Sequence, residues 1–163
     1  RDQPRSRGLG DVYKRQDLVK EIENESGADN IGIVVIFRAD GAVKNPAIYH
    51  TESGEFTKVG YLDNDFIMSS GQYVIINTYT GKKNAYLLDG VTQAEIENHK
   101  DNYGVIDWDT VIEKYGTVIN EYLDEDGEFI QLQDGTNTLT YTADEGTNYL
   151  SVSVYYRISY LGV

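Results

Sequence analysis

The chain has 163 residues, is 40% hydrophobic, 12% aromatic and a quarter charged, and carries a net charge of −13. These values fit one folded domain with a core of its own and exclude a disordered chain. The sequence has no apolar run near the ~20 residues of a membrane helix and no cysteine, so neither a disulfide nor a thiolate metal site is available.

The first sixteen residues, RDQPRSRGLGDVYKRQ, differ from the rest. Asp11-Val12-Tyr13-Lys14-Arg15-Gln16 resembles the translation of a sequencing adapter, so residues 1–16 are set apart from the fold. The other reading is a natural basic arm for nucleic acid. This run holds five of the 14 Lys and Arg and two of the 27 acids, leaving nine bases against twenty-five acids, net −16. Such a body repels phosphate backbones and anionic membranes, so neither nucleic acid nor membrane is an expected partner.

Residues 17–30 are polar and acidic and read as a linker or a frayed lead-in. Ile31 to Arg38 is a β-branched apolar run, a buried strand. Asn45-Pro46 opens an extended piece, and the turn Glu52-Ser53-Gly54-Glu55 folds 47–59 into a hairpin. Phe66-Ile67-Met68 is a short apolar run. Gln72 to Thr78 and Asn84 to Leu88 form a second hairpin about Thr80-Gly81-Lys82-Lys83.

The pattern changes at 91–123. Val111, Ile112, Tyr115, Val118, Ile119 and Tyr122 fall at spacings of three and four, one face of a helix, with Asp109 as its N-cap and Gly116 as its weak point. One or two short helices are expected here. Strands then resume: Glu128 to Leu132 alternates, and Thr136 to Thr142 places Leu139 and Tyr141 on one face. Tyr149 to Tyr160 sends Leu150, Val152 and Val154 one way and Ser151, Ser153 and Tyr155 the other. The class is all-β: an antiparallel sandwich with a helical insertion.

Catalytic and metal signals are weak. His50 and His99 sit in different segments without a triad pattern. Asp124-Glu125-Asp126-Gly127 suggests a calcium loop, but the spacing puts the first ligand at Tyr122. Carboxylates are too many to select a pair, and Gly27 and Gly32 flank no strand-to-helix phosphate loop. No enzyme activity, cofactor or metal is expected. The fourteen tyrosines and Trp108 permit stacking on sugars; the plainer reading is half-buried strand residues or subunit contacts.

Four segments carry a resemblance. Gly135-Thr136-Asn137-Thr138-Leu139-Thr140-Tyr141-Thr142-Ala143-Asp144-Glu145-Gly146 is followed by a strand through Arg157 and by Tyr160-Leu161-Gly162-Val163. Asn45-Pro46-Ala47-Ile48-Tyr49 precedes the Gly54 turn. Gly71-Gln72-Tyr73-Val74-Ile75-Ile76-Asn77-Thr78 precedes Gly81-Lys82-Lys83. Together they resemble the C-terminal domain of siphophage distal tail proteins, over residues 31–163. The resemblance implies a galectin-like β-sandwich in a virion structural protein of the tail tip. That protein would be made in the bacterial cytoplasm and link the tail tube to the host-adsorption apparatus.

The implied partners are the tail tube, the tail-associated hub and the receptor-binding protein, with a homo-hexamer formed only by the full-length protein. Residues 17–30 would be the remnant of the link to a preceding ring-forming domain. The matching residues are structural: Asn45, Pro46, Gly54, Gly71, Gly81, Gly135, Asn137, Tyr141, Ala143, Gly146, Arg157, Tyr160 and Gly162. Arg157 has many acids to pair with. Ile158-Ser159 departs from the family's frequent proline, and the 91–127 excursion is longer than usual. The alternative reading is a carbohydrate-binding module that adsorbs to host glycans.

Overall fold

Ile33–Ala39 is buried along almost its whole length, on both of its faces, and this accounts for its unbroken apolar sequence. In the computed structural model the described residues are 4–6, 11–13 and 19–159, with side chains from 20 to 157. In chain order the elements begin with strands β1 (Pro4–Ser6), β2 (Asp11–Tyr13), β3 (Val19–Asn24), β4 (Ile33–Ala39) and β5 (Val43–Lys44). Next come β6 (Ala47–His50), β7 (Glu55–Lys58), β8 (Ile67–Met68), β9 (Tyr73–Asn77) and β10 (Asn84–Leu88). Helices α1 (Gln93–Glu97) and α2 (Trp108–Tyr115), then β11 (Thr117–Val118), β12 (Gly135–Thr142) and β13 (Leu150–Ser159), complete the order.

Every strand pairing is antiparallel. The larger sheet runs β13-β4-β9-β10-β11, with β1 and β2 along the other side of β13; the smaller runs β3-β12-β6-β7. One core joins them. Val35 and Phe37 of β4, Ile76 of β9 and Val152 of β13 meet Ile48 of β6 and Leu139 and Tyr141 of β12. The chain is therefore all-β, with two antiparallel sheets facing each other. A second core lies on the outer face of the larger sheet. There Val34, Ile36 and Ile75 are covered by Ile96 of α1 and by Trp108, Val111 and Ile112 of α2. The helical insertion is thus a third layer, and β4 and β9 are buried because they lie between two cores.

Four local expectations change. Pro4–Ser6 and Asp11–Tyr13, within the run set apart from the fold, pair with β13. Within the stretch read as a linker, residues 19–24 form β3 and pair with β12. Only Ile22 and Asn24 turn inward there, and the other side chains that can be placed are acidic or basic, so the period of two is carried by few apolar atoms. The helix is capped by Asp107, whose carboxylate accepts from Thr110 N, and it ends at Gly116 instead of continuing to Leu123. A side chain at Gly116 would press its Cβ to 2.7 Å from the Ile112 carbonyl. Beyond it, Ile119 is drawn into the main core by a hydrogen bond to Ala85 O. Finally, Glu128 to Leu132 joins no ladder. Ile130 and Leu132 are fully buried, yet the segment is held by a bridge to Ile31, by Glu128 N–H donating to Phe56 O, and by the Thr57 hydroxyl, which donates to Glu128 O and accepts from Ile130 N.

Candidate functional site

The β6–β7 hairpin turns over a buried histidine. His50 is 1% exposed. Ser53 N–H donates to its Nδ1 at 3.2 Å, which fixes the tautomer with the proton on Nε2. That proton goes to Asn137 Oδ1 on β12 at 2.8 Å, and Ser53 Oγ lies 2.7 Å from Nδ1. The order serine, histidine, amide is that of an activated nucleophile. The surrounding donors argue otherwise: Ser53 N–H is spent on the ring and Gly54 N–H on His50 O, so neither is available to an oxyanion. The group pins the hairpin to β12. Glu52 adds to this, accepting from both the N–H and the hydroxyl of Thr138 at 2.7 Å.

A second knot forms at Asn45, which has φ of 52°. Its amide nitrogen donates at 2.9 Å to Asp65 and to Asp144, and its carbonyl oxygen accepts from Phe66 N at 2.7 Å. Lys44 lies 3.4 Å from Asp65 and 3.5 Å from Glu145, and Lys58 lies 3.0 Å from Asp144. The amide of Asn45 is the first cause holding the Asp65 carboxyl below its ordinary value, helped by Lys44. At Asp144 burial pushes upward, and the Asn45 bond with the ammonium groups of Lys58 and Lys44 outweighs it. Three carboxylates, of Asp65, Asp144 and Glu145, share two ammonium groups in one ionic cluster. Among the described residues, no group of three metal-ligating side chains occurs.

The other residues that carry the resemblance lie in turns, in the core and on the larger sheet. Pro46 is buried and its carbonyl accepts from Val59 N. Gly54, Gly71 and Gly81 take positive φ in turns, and Gly135 does so at the start of β12, each with open space around it. Gly146, also at positive φ, lies against Ala42 O. Tyr141 is in the core, and Ala143 packs against it, its N–H bonded to Thr147 Oγ1. Tyr160 and Gly162 lie outside the described residues. Arg157 is exposed on the larger sheet and is in no ion pair among the described residues.

Arg157 instead borders a cleft. The helical layer covers β4, β9 and β10 but leaves the outer face of β13 partly open. A cleft of about 330 Å³ lies between the α2 N-terminus and this face, walled by Trp108, Tyr79, Tyr155 and Arg157, with Lys82 and Asp109 paired at 2.9 Å. A second hollow of about 150 Å³ continues past Trp108 and Tyr155 to Ser153, Ser151 and Arg38. The rings of Trp108 and Tyr155 stand 5.3 Å apart between the two. Burial pushes the phenols of Tyr79 and Tyr155 upward, so both remain O–H donors at neutral pH. The alternation along β13 indicates which side chains share this face. It does not reveal that residues 101–109 fold over them, because that contact is tertiary.

Comparison of the chain with protein-family models, with curated proteins and with solved structures found no match.

Proposed function

We propose that this chain is the galectin-like outer domain of a distal tail protein, a structural part of the tail tip that links the tail tube to the host-adsorption apparatus. In this reading it assembles with neighbouring tail proteins by surface complementarity and performs no chemistry. The observation that carries the reading is convergence. Residues that support the resemblance, far apart in the chain, meet at two ties: Asn45 with Asp144, ninety-nine residues apart, and the His50–Gly54 turn with Asn137. Both ties spend their polar groups on holding hairpins together, as a scaffold requires. The acidic body, which disfavours nucleic acid and anionic lipid, suits a part that docks to proteins.

The test is localisation on particles. An antibody raised against this chain, applied to purified virions of the phage encoding it and viewed by immunogold electron microscopy, is expected to label the tail tip. Labelling of the capsid, or none on intact particles that package DNA, would sink the reading.

A further inference from the structure

From the cleft over β13 we infer that this chain carries a binding site for a neutral oligosaccharide, centred on Trp108 and Tyr155. The inference does not rest on the tail reading. Three features of the groove carry it.

The first is the aromatic pair between its two hollows. The rings of Trp108 and Tyr155 stand 5.3 Å apart and line both of them. The second is shape. Ser151, Ser153, Tyr155 and Arg157 occupy alternate positions on β13, so they form one row on its outer face. Six residue steps at ~3.3 Å make that row about 20 Å long, and the two hollows lie along it on either side of the Trp108–Tyr155 pair. A groove of that length suits a short chain of sugars better than a single small molecule.

The third is chemistry. Aromatic faces take the C–H faces of pyranose rings, and the serine hydroxyls and the flat Arg157 and Arg38 guanidinium groups can bond hydroxyl pairs. Asp101, Asp107 and Asp109 stand against Lys82 and Arg157 in the main cleft. With an excess of acid there, and a chain of net charge −13, phosphorylated or carboxylated sugars are repelled.

The chain's single tryptophan gives a single indole N–H signal in a ¹⁵N–¹H spectrum. Titration of the full 163-residue chain with maltotriose, lactose and N,N′-diacetylchitobiose is expected to move that signal saturably with at least one of them in the millimolar range. Glucose 6-phosphate should fail to do so. Arg157→Ala, at an exposed position, should weaken the binding sugar on the order of tenfold, as expected for losing a charge-assisted bond. Tyr155→Ala should abolish the shift. If none of the three neutral sugars gives saturation up to tens of millimolar, the inference fails. It fails equally if binding is unchanged in R157A, or if only glucose 6-phosphate or a proline-rich peptide, the other ligand class for aromatic grooves, moves the signal.

Discussion

Asn137 Oδ1 accepts the Nε2 proton of His50 across 87 residues of sequence, with both side chains sealed from solvent. The same amide is fully used: its oxygen also accepts from Gln133 N, and its nitrogen donates to the carbonyls of Gln133, Gly135 and Ile22. Asn137→Ala would strand the His50 proton and several backbone groups in the interior. Each stranded group costs about 1–3 kcal/mol, so a loss above ~3 kcal/mol is expected in urea denaturation. In a double-mutant cycle with His50→Ala the two losses should fall short of additive by ~1 kcal/mol or more, since the second deletion removes a partner already lost. Strict additivity would show that the two residues do not act together.

Asn45 combines a backbone role with a side-chain role, and two substitutions separate them. Its φ of 52° lies in the left-handed region, which glycine adopts freely and alanine at a cost of roughly 1–2 kcal/mol. Both Asn45→Gly and Asn45→Ala remove the bonds to Asp65, Asp144 and Phe66 N. The glycine variant should therefore be destabilised, and the alanine variant destabilised further by about the left-handed cost. Equal thermal midpoints for the two would mean that the backbone there is not held in that conformation.

The ionic cluster around Asn45 sets an acid limit. Asp65 and Asp144 have folded-state values below their ordinary ones. Their contribution is present in full above the ordinary carboxylate range and is lost as pH falls through the lowered values. Lys44 has the opposite sign: its raised value contributes below its ordinary range and is lost only in strong alkali. Thermal midpoints measured from neutrality down to about pH 3, beneath the ordinary Asp value, should fall steeply for the native chain. In Asp144→Asn the start should be lower and the acid slope shallower. An unchanged slope in that variant would exclude Asp144 from the acid response.

The strands readable in the sequence are those whose side chains decide their own burial. The β-branched runs of β4 and β9 and the alternation of β13 leave one register that hides the apolar atoms. Strand β3 is hidden in the sequence because its inward positions are Ile22 and Asn24, and Asn24 is placed by bonds to Ala28 O and Gln133 O. The helix is legible through Val111, Ile112 and Tyr115. Its end is not, since Val118 and Ile119 keep the helical spacing while β10 captures the backbone. At the cleft, Trp108 is conspicuous as a lone residue, yet its neighbours Tyr79, in the turn after β9, and Tyr155, on β13, come from elsewhere in the chain. The His50–Asn137 tie is equally silent, because neither residue type announces its partner.

Among the glycines that carry the resemblance the structure separates two kinds. Gly54, Gly71 and Gly81 have positive φ, but an added Cβ would meet nothing within 4 Å. Alanine at each should cost only the left-handed penalty, about 1–2 kcal/mol. Gly146 has φ of 78°, and its Cβ would come within 2.0 Å of the Ala42 carbonyl oxygen and 3.2 Å of Val43 Cα. That neighbour is backbone next to β5, whose Lys44 N–H bonds Glu145 O, so it cannot rotate away. Gly146→Ala must displace the β12–β13 corner from β5, adding a steric cost to the conformational one. Its loss in urea denaturation should exceed that of the other three by at least ~2 kcal/mol, within the range of overpacked sites. A G146A chain no less stable than G54A would show that the corner yields freely, and that Gly146 is there for its φ alone.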